Sequence, residues 1–396
     1  MKDAPPSGLN TRAIVATLGL LQILAWGSTF YLLAVLGRPI AVDTGWPFAG
    51  VIGGVSLALL IAGLASPFVG RTIAARGGRP VLAAGAALLA LGLAGIALSP
   101  NLPVYLLAWA VVGCGMSAGL YDPAFSTLGQ LYGRDARRLI TAVTLFGGFS
   151  STLAWPATAF LLAHAGWRAT CATFAAFELG IGVPAYLVLL PRRSQAARTS
   201  APLARDASPE LLPHKQRIAL FLLGTILPLG AGLLSLMSTH LLTLLQARGL
   251  ELAAAVALGA LVGPSQVTAR ILEMSFGHGY HPVWVMLVGT VLVAIGMALL
   301  WSGWPLPALA LIAYGMGNGV SSIARGTVPL VLFGPARYPE LMGKLGLPIL
   351  LAMALAPAAG APLIQYGGAG LTFAALTLIA IVNVGLALIL VRLCRA

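Results

Sequence analysis

Residues 48–98 read FAGVIGGVSLALLIAGLASPFVGRTIAARGGRPVLAAGAALLALGLAGIAL, two long apolar runs joined by a short basic loop. Each run has roughly the 20 residues that an α-helix needs to cross the hydrocarbon core of a bilayer. A loop this short makes the two helices run antiparallel. The stretch therefore predicts a membrane-spanning helical hairpin, and the rest of the chain repeats its pattern.

The composition of the whole chain agrees with a lipid environment. The 396 residues are 59% hydrophobic and 8% charged, whereas a soluble domain carries about 25% charged residues. The formal net charge is +13, but the charges sit in loops between apolar runs and no basic patch is interleaved with aromatic residues. We therefore expect a small-molecule substrate and the lipid bilayer as partners, and no nucleic acid.

Twelve segments are long and apolar enough to be transmembrane helices. They are 13–36, 48–69, 79–98, 102–126, 139–163, 168–190, 217–242, 252–275, 282–301, 306–331, 339–364 and 369–393. The sequence thus predicts an all-α integral membrane fold, in which twelve transmembrane helices form two pseudo-symmetric six-helix bundles.

The basic residues predict how these helices are oriented. With twelve spans and the N-terminus inside, 20 of the 23 lysines and arginines fall on the cytoplasmic side. The three exceptions are Arg38, Arg168 and Arg248. Because cytoplasmic loops of membrane proteins are enriched in Lys and Arg, we expect a multi-pass protein of the cytoplasmic (inner) membrane with both termini in the cytoplasm.

One long polar segment divides the chain into two halves. We expect a cytoplasmic tail (1–12), an N-terminal six-helix bundle (13–190), a flexible cytoplasmic linker (191–216) and a C-terminal six-helix bundle (217–396). Short matches link the two halves. GMSAG at 115–119 corresponds to GMGNG at 315–319, and Pro80 and Pro156 pair with Pro282 and Pro357 at nearly the same offset. These matches indicate an internal duplication in parallel topology.

The loop after the second span, GRTIAARGGRPVL at 70–82, combines glycines for a tight turn with arginines suited to anionic headgroups. It resembles the signature loop between the second and third helices of the major facilitator superfamily. Its matching positions are Gly70, Arg71, Gly77, Gly78 and Arg79. The resemblance implies the fold predicted above and transport by alternating access.

The chain departs from the pattern of that family at two places. The usual Asp-Arg pair of the signature loop is Ala74-Ala75 here, so the latch that the acidic residue forms in the family is altered or missing. In the fourth span Gly113 matches the family motif, but Trp109 occupies the position of its arginine. That arginine is associated with proton coupling in drug/proton antiporters, so its absence disfavours that subclass.

Ionisable residues inside spans are functional candidates because placing a charge in hydrocarbon costs several kcal/mol. The candidates for coupling or gating are Asp122, Glu273, Arg325 and Lys344. Asp122 and Arg325 lie at similar depths in the fourth and tenth spans. Wetting from the cytoplasm and a charge pair between the halves are both open for them, and Lys344 can instead extend to the surface. For Glu178, on the sixth span, a hydrogen-bonded structural role is favoured.

The eighth span carries the leading substrate-binding candidate. In GPSQVTARILE at 263–273, Arg270 follows Gln266 by one helical turn. This resembles the eighth helix of monocarboxylate-type transporters, where an acidic residue precedes a substrate-binding arginine by four positions. Gln266 replaces that acid here. An ion pair between Arg270 and Glu273 and an anion-binding guanidinium are the two interpretations.

Uncharged polar side chains near mid-depth complete the predicted substrate site. Together with Gln266 and Arg270, its residues are Gln22 and Trp26 on the first span and Tyr314 and Asn318 on the tenth. Ordinary hydrogen bonding between helices is an equally open interpretation for each of them. No cofactor is expected, and no metal site, since the histidines and cysteines have no metal-binding spacing.

The function predicted from these features is secondary active transport of a small solute, best interpreted as a small organic anion, coupled to a proton gradient. No GxxxxGK[ST] loop is present, so ATP does not drive the cycle directly. A proton-driven efflux pump for amphipathic drugs or metabolites is the alternative within this class. An integral-membrane enzyme or a sensor is the alternative outside it, and we expect a monomeric transporter rather than an enzyme.

Overall fold

The structure, a computed structural model, describes residues 11–191, 213–303 and 305–395. Most of the predicted tail (1–12) and linker (191–216), and Trp304, lie outside these ranges. The described elements are almost entirely α-helices. They are α1 Thr11–Gly27, α2 Leu32–Thr44, α3 Phe48–Arg76, α4 Gly78–Ala97, α5 Leu102–Gly119, α6 Tyr121–Tyr132, α7 Ala136–Gly148, α8 Ser150–Phe177, α9 Val183–Leu189, α10 Pro213–Gln246, α11 Leu252–Gly259, α12 Val262–Phe276, α13 Pro282–Ser302, α14 Pro307–Phe333 and α15 Tyr338–Arg395.

These helices account for the twelve predicted spans. Within the described ranges, nine helical runs are long and apolar enough to cross a membrane. Two of these runs, Ala136–Leu189 and Tyr338–Arg395, each contain two of the predicted spans, because the backbone leaves the helical conformation at Gly166 and at Gly368. Both glycines have a positive φ, which other residues rarely adopt. The 27-residue helix α14 is the remaining span.

The chain divides into two compact units. The first comprises Met1–Ser208 and Gly334–Leu347, and the second comprises Pro209–Phe333 and Pro348–Ala396. The first turns of α15 are therefore packed into the first unit, although they follow α14 in the chain.

Glycines allow the helices of the first unit to approach closely. A Cβ on Gly92 of α4 would lie 3.0 Å from the carbonyl oxygen of Ala108 on α5, and one on Gly113 of α5 would lie 2.5 Å from that of Ala58 on α3. In lipid, where helix association depends on close packing rather than on the hydrophobic effect, such small residues hold neighbouring helices together.

The second unit repeats these contacts. A Cβ on Gly296 of α13 would lie 2.7 Å from the carbonyl oxygen of Ala310 on α14, and one on Gly315 would lie 2.8 Å from that of Val262 on α12. By its contacts Gly315 corresponds to Gly113. The sequence match pairs Gly315 with Gly115 instead, so it is shifted by two residues from the contacts. Gly115, packed against the backbone of Leu89, likewise corresponds to Gly317, packed against the backbone of Val293, so the two glycine motifs match in letters but not in packing.

Three spans of the first unit are interrupted near their middle. The first span breaks between Gly27 and Leu32, the fourth at Leu120, and the fifth at Phe149. In the second unit α14 runs without a break through Gly315, Gly317 and Gly319, and the eighth span is interrupted between Gly259 and Val262. Broken helices at membrane depth are tolerated only where protein covers them or where they line a water-filled cavity.

We expect Gly113→Ala to destabilise the protein, because the added Cβ would meet the backbone of Ala58, which cannot move aside as a side chain can. Overpacking of this kind costs about 1–3 kcal/mol. The melting temperature of the purified protein in detergent measures the effect. Gly53→Ala is the matched control on the neighbouring helix, because its Cβ would meet nothing within 4 Å. Equal melting temperatures for the two variants would contradict the packing role of Gly113.

Candidate functional site

Arg270 is almost completely buried in the second unit, with 5% of its surface exposed. Its Nε donates to the Ser322 hydroxyl (3.1 Å) and to the Gly319 carbonyl oxygen (3.4 Å), and Nη2 donates to Gln266 Oε1 (3.4 Å). Nη1 is also buried and has no hydrogen-bond partner. The guanidinium therefore has donor capacity that its neighbours do not use.

Close packing of α12 against α14 produces this arrangement. A Cβ on Gly319 would collide with the backbone of Gln266, so only glycine permits the contact. Arg270 lies one turn after Gln266, which brings its side chain over the Gly319 carbonyl group. Ser322, one turn after Gly319, supplies the hydroxyl that accepts from Nε.

The partners of the guanidinium are all uncharged. In the described part of the chain its hydrogen bonds go to Gly319, Ser322 and Gln266, and none goes to Glu273 on the next turn. The predicted ion pair between Arg270 and Glu273 is thus not formed, and Glu273 itself is half-buried. A buried cation without a counter-charge is costly unless a bound anion compensates it.

Tyr314 and Asn318, the candidate substrate-binding residues of the tenth span, lie in different surroundings. Asn318 is half-buried, and its amide donates to the Tyr314 carbonyl oxygen one turn earlier (2.9 Å). The Tyr314 ring belongs to the apolar core of the second unit, with Leu311, Met297 and Phe373. Its hydroxyl is buried there without a partner. Tyr314 therefore packs within the unit rather than at an open surface.

In the first unit, Gln22 and Trp26 form a continuous polar contact. The Gln22 side chain is fully buried, and its Nε2 donates to the Gly119 carbonyl oxygen at the end of α5 (2.8 Å). Its Oε1 accepts from the Trp26 indole N–H (3.1 Å). The Trp26 ring, half-buried, lies 5.1 Å from the Tyr121 ring on α6, measured between centroids. Gln22 thus pairs a carbonyl group that the break in the fourth span leaves without its helical partner.

Within the described ranges no group of three or more His, Cys, Asp or Glu side chains could hold a metal ion. The candidate residues instead include a buried guanidinium with one unpaired nitrogen in one unit and half-buried aromatic rings at broken helices in the other. A family model described as Major Facilitator Superfamily matches residues 18–279. The chain belongs to the major facilitator superfamily. It is a multi-pass membrane protein of this superfamily, whose members are typically not enzymes.

Individual relatives extend this assignment. Monocarboxylate transporter 11 of Mus musculus is 31% identical over 306 residues, which are 74% of this chain and 58% of the relative. The chain therefore spans less than two thirds of that protein. The crystal structure of the human organic anion transporter MFSD10 (TETRAN) superposes with a TM-score of 0.76, at 18% identity, over 96% of this chain and 99% of that one.

The fold is also that of the proton:xylose symporter XylE bound to 6-bromo-6-deoxy-D-glucose. That structure matches with a TM-score of 0.72 and 14% identity, covering 96% of this chain and 95% of XylE. At such identities the likeness concerns the fold alone. It confirms the predicted all-α membrane architecture of two six-helix bundles.

The superfamily signature loop joins α3 to α4 in the first unit. Gly77 has a φ of 84°, and a Cβ on Gly78 would collide with the Thr127 side chain. At the end of α3, a Cβ on Gly70 would lie 2.5 Å from the Pro339 carbonyl oxygen and 2.9 Å from Gly343 Cα on α15. Arg71 is exposed and Arg79 is half-buried. The glycines of this motif therefore serve close packing and a turn.

Asp122 lies near the same contact. It is 9% exposed, and its Oδ2 would be 3.3 Å from a Cβ on Gly346 of α15. Lys344, on the same turns of α15, is exposed. Arg325 is half-buried in the second unit, whereas Asp122 belongs to the first. Trp109, at the motif position of the family arginine, is fully buried against Gly54 and carries no charge into the fourth span.

Glu178 is buried in the first unit, in a π-helical turn that spans Glu178–Gly182. Its Oε1 accepts a hydrogen bond from the Ser28 hydroxyl at the break of the first span (3.3 Å). The sequence favoured a hydrogen-bonded structural role for Glu178, and this hydrogen bond joins two spans as such a role requires.

Sequence reasoning missed several residues that take part in these contacts. Ser322 was not among the candidates, although it follows Gly319 by one turn and could have been placed from the Gly315–Gly319 motif. Tyr121 was missed because nothing in the sequence marked the helix break before it. Gly346 was missed because its proximity to Asp122 depends on the tertiary fold.

We expect Gln22→Leu to destabilise the first unit, because it removes the donor to the Gly119 carbonyl oxygen and leaves that buried group unpaired. An unsatisfied buried polar group costs about 1–3 kcal/mol. Thermal unfolding of the purified protein measures the loss. Gln246→Leu is the control, because Gln246 is exposed at the end of α10. A melting temperature for Gln22→Leu no lower than that of the control would contradict the role of Gln22.

Proposed function

We propose that this protein is a secondary transporter that carries small organic anions and that Arg270 binds their carboxylate group. The observation that supports the proposal most directly is the buried guanidinium, whose Nη1 lacks a hydrogen-bond partner and whose three partners are all neutral. A carboxylate bound there would supply both the missing acceptor and the missing negative charge.

The chemistry of arginine favours this ligand. A guanidinium presents a planar fork of N–H donors that matches the two oxygens of a carboxylate, and hydrogen bonds between such charged groups are stronger than neutral ones. The names of two similar proteins agree with the proposal, since one is a monocarboxylate transporter and the other an organic anion transporter. Gln266 and Ser322 would then hold Arg270 in position.

We propose that Asp122 carries the coupled proton. The eighth span has Gln266 where monocarboxylate-type transporters have an acidic residue, so another carboxyl group is needed for this role. Asp122 is nearly buried beside Gly346, where the start of α15 packs into the first unit. A carboxyl that gains and loses a proton at a helix contact can link proton uptake to the opening of that contact.

The orientation and the membrane remain those proposed from the charge distribution. Both termini would lie in the cytoplasm, and the protein would reside in the cytoplasmic membrane, because 20 of the 23 lysines and arginines fall on that side. We also propose that the transporter works as a monomer.

Arg270→Gln is expected to weaken binding of a simple carboxylate such as benzoate at least tenfold, since a hydrogen bond to a charged group is worth about 1.5–3 kcal/mol. Isothermal titration of the purified protein measures the dissociation constant. Arg248→Gln is the matched control, because Arg248 is an exposed arginine of the same unit that bonds to the Trp301 carbonyl oxygen. Carboxylate binding that survives in Arg270→Gln would refute the anion proposal.

Asp122→Asn is expected to separate transport from its driving force. In vesicles containing only the purified protein, uptake against a concentration gradient driven by a pH gradient should fall to background. Exchange of labelled for unlabelled solute at equal pH should persist, because it needs no net proton movement. Concentrative uptake retained in Asp122→Asn would remove Asp122 from the coupling mechanism.

A further inference from the structure

Glu178 is a buried carboxyl group that the proposed transport mechanism does not use. It is 2% exposed and lies near the middle of the sixth predicted span (168–190). The span leaves α-helical geometry at this point, because Glu178–Gly182 form a π-helical turn. Single turns of this kind inside helices are frequently found at functional sites.

The π turn leaves room for the carboxyl group. Gly182 ends the turn, and a Cβ there would lie 3.0 Å from Glu178 Oε2 and 3.3 Å from the Cβ of Ala86 on α4. Both distances are shorter than ordinary van der Waals contact, so a larger residue would press on the carboxyl group. Glycine therefore allows Glu178 to lie against its own helix and α4 at once.

The helices that pack against the π turn are α1, α4, α8 and α9. The turn also contacts the interruption of the first span through Ser28. The charged or titratable side chains of these elements are Arg12, Tyr31, Arg79, His164, Arg168, Cys171 and Tyr186.

The basic members of this set do not pair with Glu178. Arg168 donates to two backbone carbonyl groups at the end of α4 (2.8 and 3.1 Å). His164 is exposed and lies fourteen residues before Glu178. Arg12 and Arg79 belong to the first turns of α1 and α4. Within the described ranges, the Ser28 hydroxyl is the one hydrogen-bond partner of the carboxyl group.

A proton is the cation that this environment favours. A buried carboxylate without a counter-charge is costly, whereas a neutral carboxylic acid is not. A hard metal ion requires several oxygen ligands, and the described residues contain no group of three or more His, Cys, Asp or Glu that could hold one. The neighbouring side chains of Cys171 and Tyr186 are buried and carry no positive charge in either protonation state.

The hydrogen bonds of Ser28 give an independent reason for a proton at this place. Its hydroxyl has one proton but two acceptors in range, the Ala25 carbonyl oxygen (3.4 Å) and Glu178 Oε1 (3.3 Å). If Oε1 is protonated, the carboxyl O–H donates to Ser28 Oγ, and the Ser28 hydroxyl is free to donate to Ala25. The extra proton therefore completes a chain from the sixth span into the first.

We propose that Glu178 is a proton-binding site and that its bound proton holds the interruption of the first span against the sixth span. Ser28 lies in that interruption, between Gly27 and Leu32. Loss of the proton leaves a charge that the closed arrangement cannot neutralise, so the interruption must move to admit water. The inference goes beyond the proposed function, because it requires neither a solute nor Asp122.

Infrared spectroscopy of the full-length protein in lipid nanodiscs detects the proton directly, through the C=O stretch of a protonated carboxyl group. We expect a band at neutral pH that Glu178→Gln removes. Glu340→Gln is the matched control, because Glu340 is an exposed glutamate of the same unit. Ser28→Ala should keep the band but shift it, since the hydrogen bond is lost. Ser99→Ala, at another fully buried serine of this unit, should leave it in place.

Hydrogen exchange tests whether the proton controls the interruption. The Tyr31 amide donates to the Trp26 carbonyl oxygen (3.1 Å) and the Leu32 amide to that of Thr29 (3.2 Å), so exchange at these amides reports its opening. If opening releases one proton, its equilibrium constant should rise about tenfold per pH unit while the closed form is protonated and the open form ionised, after correction for chemical exchange. Glu178→Gln should abolish this rise.

Three outcomes would overturn the inference. The first is an infrared spectrum of Glu178→Gln that equals that of the unmodified protein, and the second is a band that Ser28→Ala does not shift. The third is an opening equilibrium with the same pH dependence in the unmodified protein and in Glu178→Gln. A melting temperature that rises with Na⁺ only when Glu178 is present would assign the site to a metal cation and would equally refute the bound proton.

Discussion

The absence of water in the hydrocarbon core is the constraint on which this structure depends. Each backbone N–H and C=O group must find its partner inside the protein, so each apolar run becomes a helix. The same constraint gives meaning to the exceptions. Where the first, fourth and fifth spans lose their helical hydrogen bonds, another group must replace them, as Gln22 does for the Gly119 carbonyl oxygen.

Helix packing in lipid requires close approach rather than apolar bulk, and this explains the many glycines. Gly92 and Gly113 in one unit, and Gly296 and Gly315 in the other, each face a backbone carbonyl group of a neighbouring helix. The repetition of these contacts indicates that the duplication preserved backbone proximity more strictly than sequence. The letter match between residues 115–119 and 315–319 is misleading for that reason.

The fold was predictable because hydropathy reports directly on the solvent of each segment. The helix breaks were not, since Gly27, Gly119 and Gly148 look in sequence like Gly315, which lies in an unbroken helix. For the proposed site, a charge within a span was enough to select Arg270 as a candidate. Its partners Ser322 and Gly319 lie about 50 residues away and required the contact between α12 and α14.

The two units differ in which of their spans are interrupted and in which charged side chains they bury. The second unit keeps α14 continuous and buries the Arg270 guanidinium against it, so the anion recognition proposed there would be electrostatic. The first unit interrupts three spans and presents half-buried rings at the breaks, and the fourth span has Trp109 where the family motif has an arginine. Both units use glycines to bring helix backbones into contact, and because packing depends on those positions, other positions can differ, with a buried guanidinium in one unit and aromatic rings beside the helix breaks in the other.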